Sequence, residues 1–188
     1  FSYIIILAKN YIFILTLSAG FSGIGKTYLG NKYKNVIDLD PAPYAYTDIG
    51  LEHLNMEERK GLKRSPNKDF PNNYIKAIKD AQSEYDIILV WDRIDIIKEY
   101  LKNNINFIIC YPEENSLKEY KIRFLKRGNN KDYPDKKINE YYEKVKYFNT
   151  LPNKKIILKG TETLEYYLKK NNIYLKEKNL QSEMHPLG

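Results

Sequence analysis

The sequence predicts an α/β domain built on a five-stranded parallel sheet, and three observations carry that prediction. Five short apolar runs rich in Ile, Val and aromatic residues are spaced along the chain. Longer polar stretches with helical spacing lie between them. Of the 188 residues, 43% are hydrophobic, enough to bury the core of one domain. Short continuous apolar runs mark strands buried on both faces, and strands alternating with helices give a parallel sheet covered on both sides.

The first run, 12–18, is read as a buried strand followed by a helix over 25–33. The apolar N-terminus ahead of it is interrupted by Lys9 and Asn10, so neither half is long enough to span a bilayer. A signal-peptide reading would put cleavage at Ser18-Ala19-Gly20, inside the loop discussed next, so residues 1–10 are taken as an extension. The second run, 35–39, leads into polar loops at 41–50 and 61–73. Helical spacing returns over 73–84, ahead of the third run, 85–91, and again over 93–103 after it. The fourth run, 106–111, is followed by helical stretches at 116–126 and 136–148, joined by a loop at 128–135. The fifth, 155–158, precedes a helix over 161–170, and residues 171–188 read as a flexible tail. The whole chain, 1–188, is thus one domain.

The net charge of +7 and pI near 9.1 suit phosphate-bearing partners. The lysines are spread along a chain also rich in Asn, Ile and Tyr, so the charge reads as a bias of composition more than a dedicated nucleic-acid patch. The single cysteine, Cys110, excludes an internal disulfide framework and suits a reducing, cytoplasmic setting. His53 and His185 lack ligand-like neighbours, and no Cys/His spacing suggests zinc.

The strongest motif is Gly20-Phe21-Ser22-Gly23-Ile24-Gly25-Lys26-Thr27, which matches G-x-x-x-x-G-K-[ST] in full between a strand-like run and a helix-like stretch. The glycines let backbone N–H groups wrap an anion, and the helix that follows adds the positive end of its dipole. Lys26 is expected to reach β- and γ-phosphates, and Thr27 to offer its hydroxyl to Mg²⁺. With the additional Gly23, the loop reads G-x-x-G-x-G-K-T and resembles that of the small P-loop kinases, the superfamily of nucleoside monophosphate, deoxynucleoside and shikimate-type kinases, with a likeness to phage-type nucleotide kinases. The resemblance implies a three-layer P-loop NTPase fold with strand order 2-3-1-4-5 over residues 12–170, and ATP and Mg²⁺ as cofactors.

Asp38 and Asp40 end the second run on one face of that strand. This D-x-D resembles the acidic pair of shikimate-type kinases, whose carboxylates serve the acceptor hydroxyl and the metal environment; Asp before Pro41 is also ordinary turn chemistry. Asp92 closes the third run like a Walker B residue that holds Mg²⁺ through water, and it would serve equally as a helix N-cap. Arg123 and Arg127 share a helix face before Gly128 and resemble the lid arginines that clamp the transferring phosphoryl group, although a Lys-rich chain also makes solvated basic faces. Arg64, Phe70 and Tyr74 fall where such kinases bind their acceptor, as phosphate and base contacts; packing is the plainer reading at each position.

The expectation is ATP-dependent phosphoryl transfer to a small nucleotide acceptor, a nucleoside or deoxynucleoside monophosphate, by a monomer or homodimer without membrane attachment. Two alternatives remain at this point. One is a kinase acting on a hydroxyl of a nucleoside, polynucleotide end or modified DNA base. The other is a non-catalytic nucleotide-binding regulator. An N-K-x-D guanine element is missing, since Asn67-Lys68-Asp69 and Asn130-Lys131-Asp132 both lack the intervening residue.

Overall fold

A computed structural model describes residues 16–47, 50–51, 53–55, 58, 62, 64–127 and 131–178. Its elements, in order, are β1 (Thr16–Gly20), α1 (Lys26–Lys32), β2 (Val36–Asp38), the short α2 (Ala42–Ala45), β3 (Tyr46–Thr47), β4 (Ser65–Pro66) and α3 (Asn72–Ala81). They continue with β5 (Ile87–Trp91), α4 (Ile94–Lys102), β6 (Ile108–Pro112), α5 (Leu117–Lys126), α6 (Tyr133–Phe148), β7 (Lys155–Leu158) and α7 (Leu164–Lys170). Residues 1–10 and 179–188, and Gly128 at the expected end of the lid helix, fall outside the described residues.

Five strands form one parallel sheet in the order β2-β5-β1-β6-β7. This numbering departs from the expected one because a two-stranded antiparallel ribbon, β3 with β4, intervenes where the sequence reads as loop. Counted among the sheet's own strands, the order runs second, third, first, fourth, fifth. β5 lies between β2 and β1 and is buried from Ile87 to Val90, which is why its run is apolar without alternation. The chain moves outward from β1 to β2 and then reverses. Right-handed crossovers therefore put α1 on one face of the sheet and α3 and α4 on the other.

The core is unusually rich in tyrosine. Tyr74 and Tyr100 are fully buried, and each hydroxyl finds a carbonyl: Leu39 at 2.9 Å and Trp91 at 3.1 Å. Tyr141 likewise donates to Pro112 at 2.9 Å. These rings supply core volume, while their polar ends tie helices to strand termini.

Several boundaries differ from the sequence reading, and two matter most. α6 starts at Tyr133, with Pro134 in its first turn, where a loop is expected. Residues 171–178 do not run free. The Lys34 amide donates to Lys176 and the Lys178 amide to Lys32, while the Asn35 side chain holds Tyr174, Lys176 and Asp86. Backbone pairing and one buried asparagine thus bind this segment to the α1–β2 turn, a contact that composition gives no hint of.

Candidate functional site

At the carboxyl end of β1 the chain turns sharply into α1 through residues 20–25. Gly23 and Gly25 adopt left-handed φ of 87° and 103°, a region that side chains disfavour. At Gly23 the need is also steric: a Cβ would sit 3.0 Å from Phe124 and 3.2 Å from Tyr120. The apolar residues of the loop face inward. Phe21 and Ile24 are buried, and the Phe21 ring packs among Tyr120, Phe124 and Tyr141. The Phe21 amide donates to the Cys110 carbonyl at 2.9 Å, which fixes the loop to β6. Burial pushes the Cys110 thiol up to about 12, so it is no nucleophile.

Lys26 folds back over the loop, donating to the carbonyls of Gly20 at 2.6 Å and Phe21 at 3.2 Å. Burial lowers its pKa, and the nearby charge of Lys144 adds to this; the carboxylates of Asp92 and Asp38 oppose the shift. The Thr27 hydroxyl donates to Asp38 Oδ2 at 2.8 Å, linking the start of α1 to the end of β2. The approach is close because Gly30 has no side chain: a Cβ there would lie 3.0 Å from the Asp38 amide. Burial raises the pKa of Asp38, against the pull of Lys26 and the Thr27 hydrogen bond.

A cavity of about 810 Å³ opens beside this loop. One wall is Ser22, Gly23, Gly25, Lys26 and Thr27; another is Asp38, Asp40, Tyr46 and Trp91. Arg127, Tyr133 and Lys137 line it from α5 and α6. Asp40 is exposed, and its Oδ1 accepts the Ala42 amide at 3.0 Å, so it also performs turn chemistry.

The residues expected to act are thus only partly gathered. Lys26, Thr27, Asp38, Asp40 and Arg127 meet at the cavity. Arg123 faces elsewhere: it pairs with Glu119 at 3.2 Å, donates to the Thr161 carbonyl at 2.9 Å and lies over Tyr120. The i, i+4 spacing aligns the two arginines, but Arg127 falls at the C-cap, where the helix ends. Tyr74 is buried, with its hydroxyl between the Leu39 carbonyl and the Trp91 amide, and Phe70 packs against its ring. Arg64 lies over the Tyr46 ring at 5.2 Å and is not among the residues that line the cavity.

Asp92 neither caps α4, whose N-cap is Arg93, nor lines the cavity. It is 1% exposed, and its Oδ1 accepts from Lys144 of α6 at 2.8 Å. Sequence reasoning overlooks Lys144 because one lysine among many carries no mark. The signal was its position: Tyr141, Lys144 and Phe148 form one stripe, and all three are buried. Lys137, two turns before Lys144, and Trp91 also line the cavity with no mark in the sequence.

Among the described residues no group of three or more His, Cys, Asp or Glu is placed to hold a metal, and no helix is long and apolar enough to cross a membrane. Compared with known proteins, the chain matches no family model, no curated protein and no solved structure.

Proposed function

We propose that the chain is a P-loop kinase that transfers a phosphoryl group from ATP with Mg²⁺ to a nucleoside or deoxynucleoside monophosphate. The observation that carries the reading is the loop itself. Left-handed glycines, a lysine at the head of α1 and a threonine hydroxyl face one cavity beside a parallel strand end. An added Cβ at Gly25 would meet nothing within 4 Å, so the backbone there is open to close approach by a phosphate.

The residues present fit the cofactor. Mg²⁺ takes one or two protein oxygens, substrate phosphates and water. The Thr27 hydroxyl is the donor in reach of the cavity, and Asp38 and Asp92 are the carboxylates to be weighed beside it. Bound magnesium would neutralise phosphate charge. The chain's own groups do the remaining work. Lys26 leaves the Gly20 and Phe21 carbonyls to meet phosphate oxygens. Arg127 and Lys137 approach from α5 and α6 to stabilise charge on the transferring group, as an acceptor oxygen bonds to the γ-phosphorus and its bond to ADP breaks. The nucleotide base has Tyr46, Trp91 and Tyr133 as stacking partners.

The test is an acceptor screen with ATP and Mg²⁺, following ADP release over nucleosides, nucleoside monophosphates and DNA oligomers. Nucleotide binding without ADP release for any acceptor would leave a regulator in its place. Arg127→Lys keeps charge but loses the planar fork, and kcat is expected to fall more than KM for ATP rises. Arg123→Ala should lower thermal stability while leaving kcat nearly intact; a kcat loss matching that of Arg127→Lys would return it to the site.

Proton linkage gives a further check. Burial lowers the Lys26 pKa in the free protein, and bound phosphates raise it again. Binding near that lowered value therefore takes up a proton, and affinity falls as pH rises through it. Calorimetry in two buffers of different ionisation enthalpy measures the uptake at alkaline pH. Its absence across that range would detach Lys26 from the phosphates.

One observation favours a hydroxyl acceptor instead: Asp38 and Asp40 both reach the cavity wall, where a carboxylate can act as base. On the monophosphate reading, Asp40→Asn lowers activity modestly at every pH. A collapse of kcat that recovers at high pH would decide for the hydroxyl.

A further inference from the structure

We infer that Lys144 is a positioning residue for phosphate binding: by holding one oxygen of the buried Asp92 carboxylate, it keeps that carboxylate from capturing the Lys26 ammonium and leaves Lys26 free to move to an anion in the cavity. The inference rests on the phosphoryl-transfer reading, which makes Lys26 a phosphate ligand.

Three charged groups gather around Phe21. Trp91 is the register partner of Gly20, so Asp92 stands one residue past β5 as Phe21 stands one past β1. The Lys26 ammonium sits on the Gly20 and Phe21 carbonyls, at 2.6 and 3.2 Å. The Lys144 ammonium lies 5.4 Å over the Phe21 ring and donates to Asp92 Oδ1 at 2.8 Å. The second carboxylate oxygen, Asp92 Oδ2, is buried and has no hydrogen-bond partner among the described residues. Burial lowers the Lys26 pKa; Asp92 is the largest charge that opposes this, and Lys144 adds to it. Asp92 thus pulls on Lys26 while its hydrogen bond goes to Lys144.

That division of partners decides how easily Lys26 moves. Leaving two neutral carbonyls for a phosphate breaks no ion pair. Leaving a buried carboxylate would, and the attraction between two charges grows as the dielectric falls. Without Lys144, Asp92 becomes an uncompensated charge in the interior, and Lys26 is the cation at hand to neutralise it. Lys144 cannot replace Lys26 in the cavity. It belongs to the buried stripe of α6 with Tyr141 and Phe148, its side chain is 7% exposed, and it is absent from the cavity lining. Its influence on a phosphate therefore passes through Asp92 and Lys26.

The experiment measures ADP binding by calorimetry in EDTA, in the cold, for the wild type, Lys144→Met, Asp92→Asn and Asp92→Asn/Lys144→Met, each checked for folding by its melting curve. ADP affinity is expected to fall by about 10-fold in Lys144→Met, the size of a coupling within one ion-pair network. In Asp92→Asn it should equal or exceed that of the wild type, because the competitor for Lys26 is gone. The double variant should regain most of what Lys144→Met loses. The two single variants break the same pair, so a merely structural role would weaken binding in both alike. That outcome, or an unchanged affinity in Lys144→Met, overturns the inference. A second measurement needs neither single variant of the pair. In wild type labelled with ¹³C at the lysine side chains, ADP should shift the Lys26 signal and leave the Lys144 signal in place, the two being assigned from Lys26→Ala and the double variant. A Lys144 signal that moves as far as that of Lys26 overturns the inference. A wild type that binds no ADP, with or without Mg²⁺, overturns the phosphoryl-transfer reading itself.

Discussion

Replacing Lys26 with alanine is expected to lower kcat by about 10²–10³-fold, the usual consequence of losing one preorganised charge contact to a transferring group. The fold should survive the change. Among the described residues, the Lys26 ammonium bonds to the loop carbonyls of Gly20 and Phe21, and both residues are held independently by β1 pairing and by the Phe21–Cys110 hydrogen bond. Steady-state ADP release with the best acceptor, set beside a thermal melt, separates the two effects. Activity within a few-fold of wild type would remove this loop from the chemistry. Lys26→Arg is also expected to fail, because the larger, planar guanidinium cannot take the place of a compact ammonium against the phosphates.

Breaking the buried pair between α6 and the end of β5 should produce the largest stability effect in the molecule. Asp92→Asn or Lys144→Met alone leaves one uncompensated charge in the interior, at a cost of about 3–5 kcal/mol. For a chain of this size that corresponds to a fall in Tm of about 6–20 °C. Removing both charges together should recover most of the loss, because the pair's mutual attraction does little more than offset its desolvation. Melting curves of the two single variants and the double variant form a closed cycle. Three variants melting with the wild type would mean the pair is not buried in solution.

The alternation of apolar runs and helical stretches was legible in the residues because each feature is local. A strand buried on both faces needs a continuous apolar run, as in Ile87–Trp91, and a loop that turns left-handed needs glycine at Gly23 and Gly25. The β3–β4 ribbon was illegible for the opposite reason. It pairs Tyr46 with Pro66 and Thr47 with Ser65, two residues on each side, too few to set up any periodicity. The order of the segment at 171–178 is illegible in its own residues because it comes from Lys32, Lys34 and Asn35, far away in sequence.

The sequence by itself determined the left-handed glycine loop at 20–27, the α/β class and the position of Asp38 at a strand end, since backbone conformation and strand burial follow from residue type and its neighbours. Only the tertiary structure decided which charged groups share a cavity. Arg123 and Arg127 look equivalent on a helix face, yet one is spent on Glu119 and Thr161 and the other lines the cavity. Asp38 and Asp92 look equivalent at strand ends, yet one meets the Thr27 hydroxyl and the other a lysine from a helix 52 residues away. Charge acts through space at a strength set by burial and by the nearest opposite charge. Neither quantity is written along the chain.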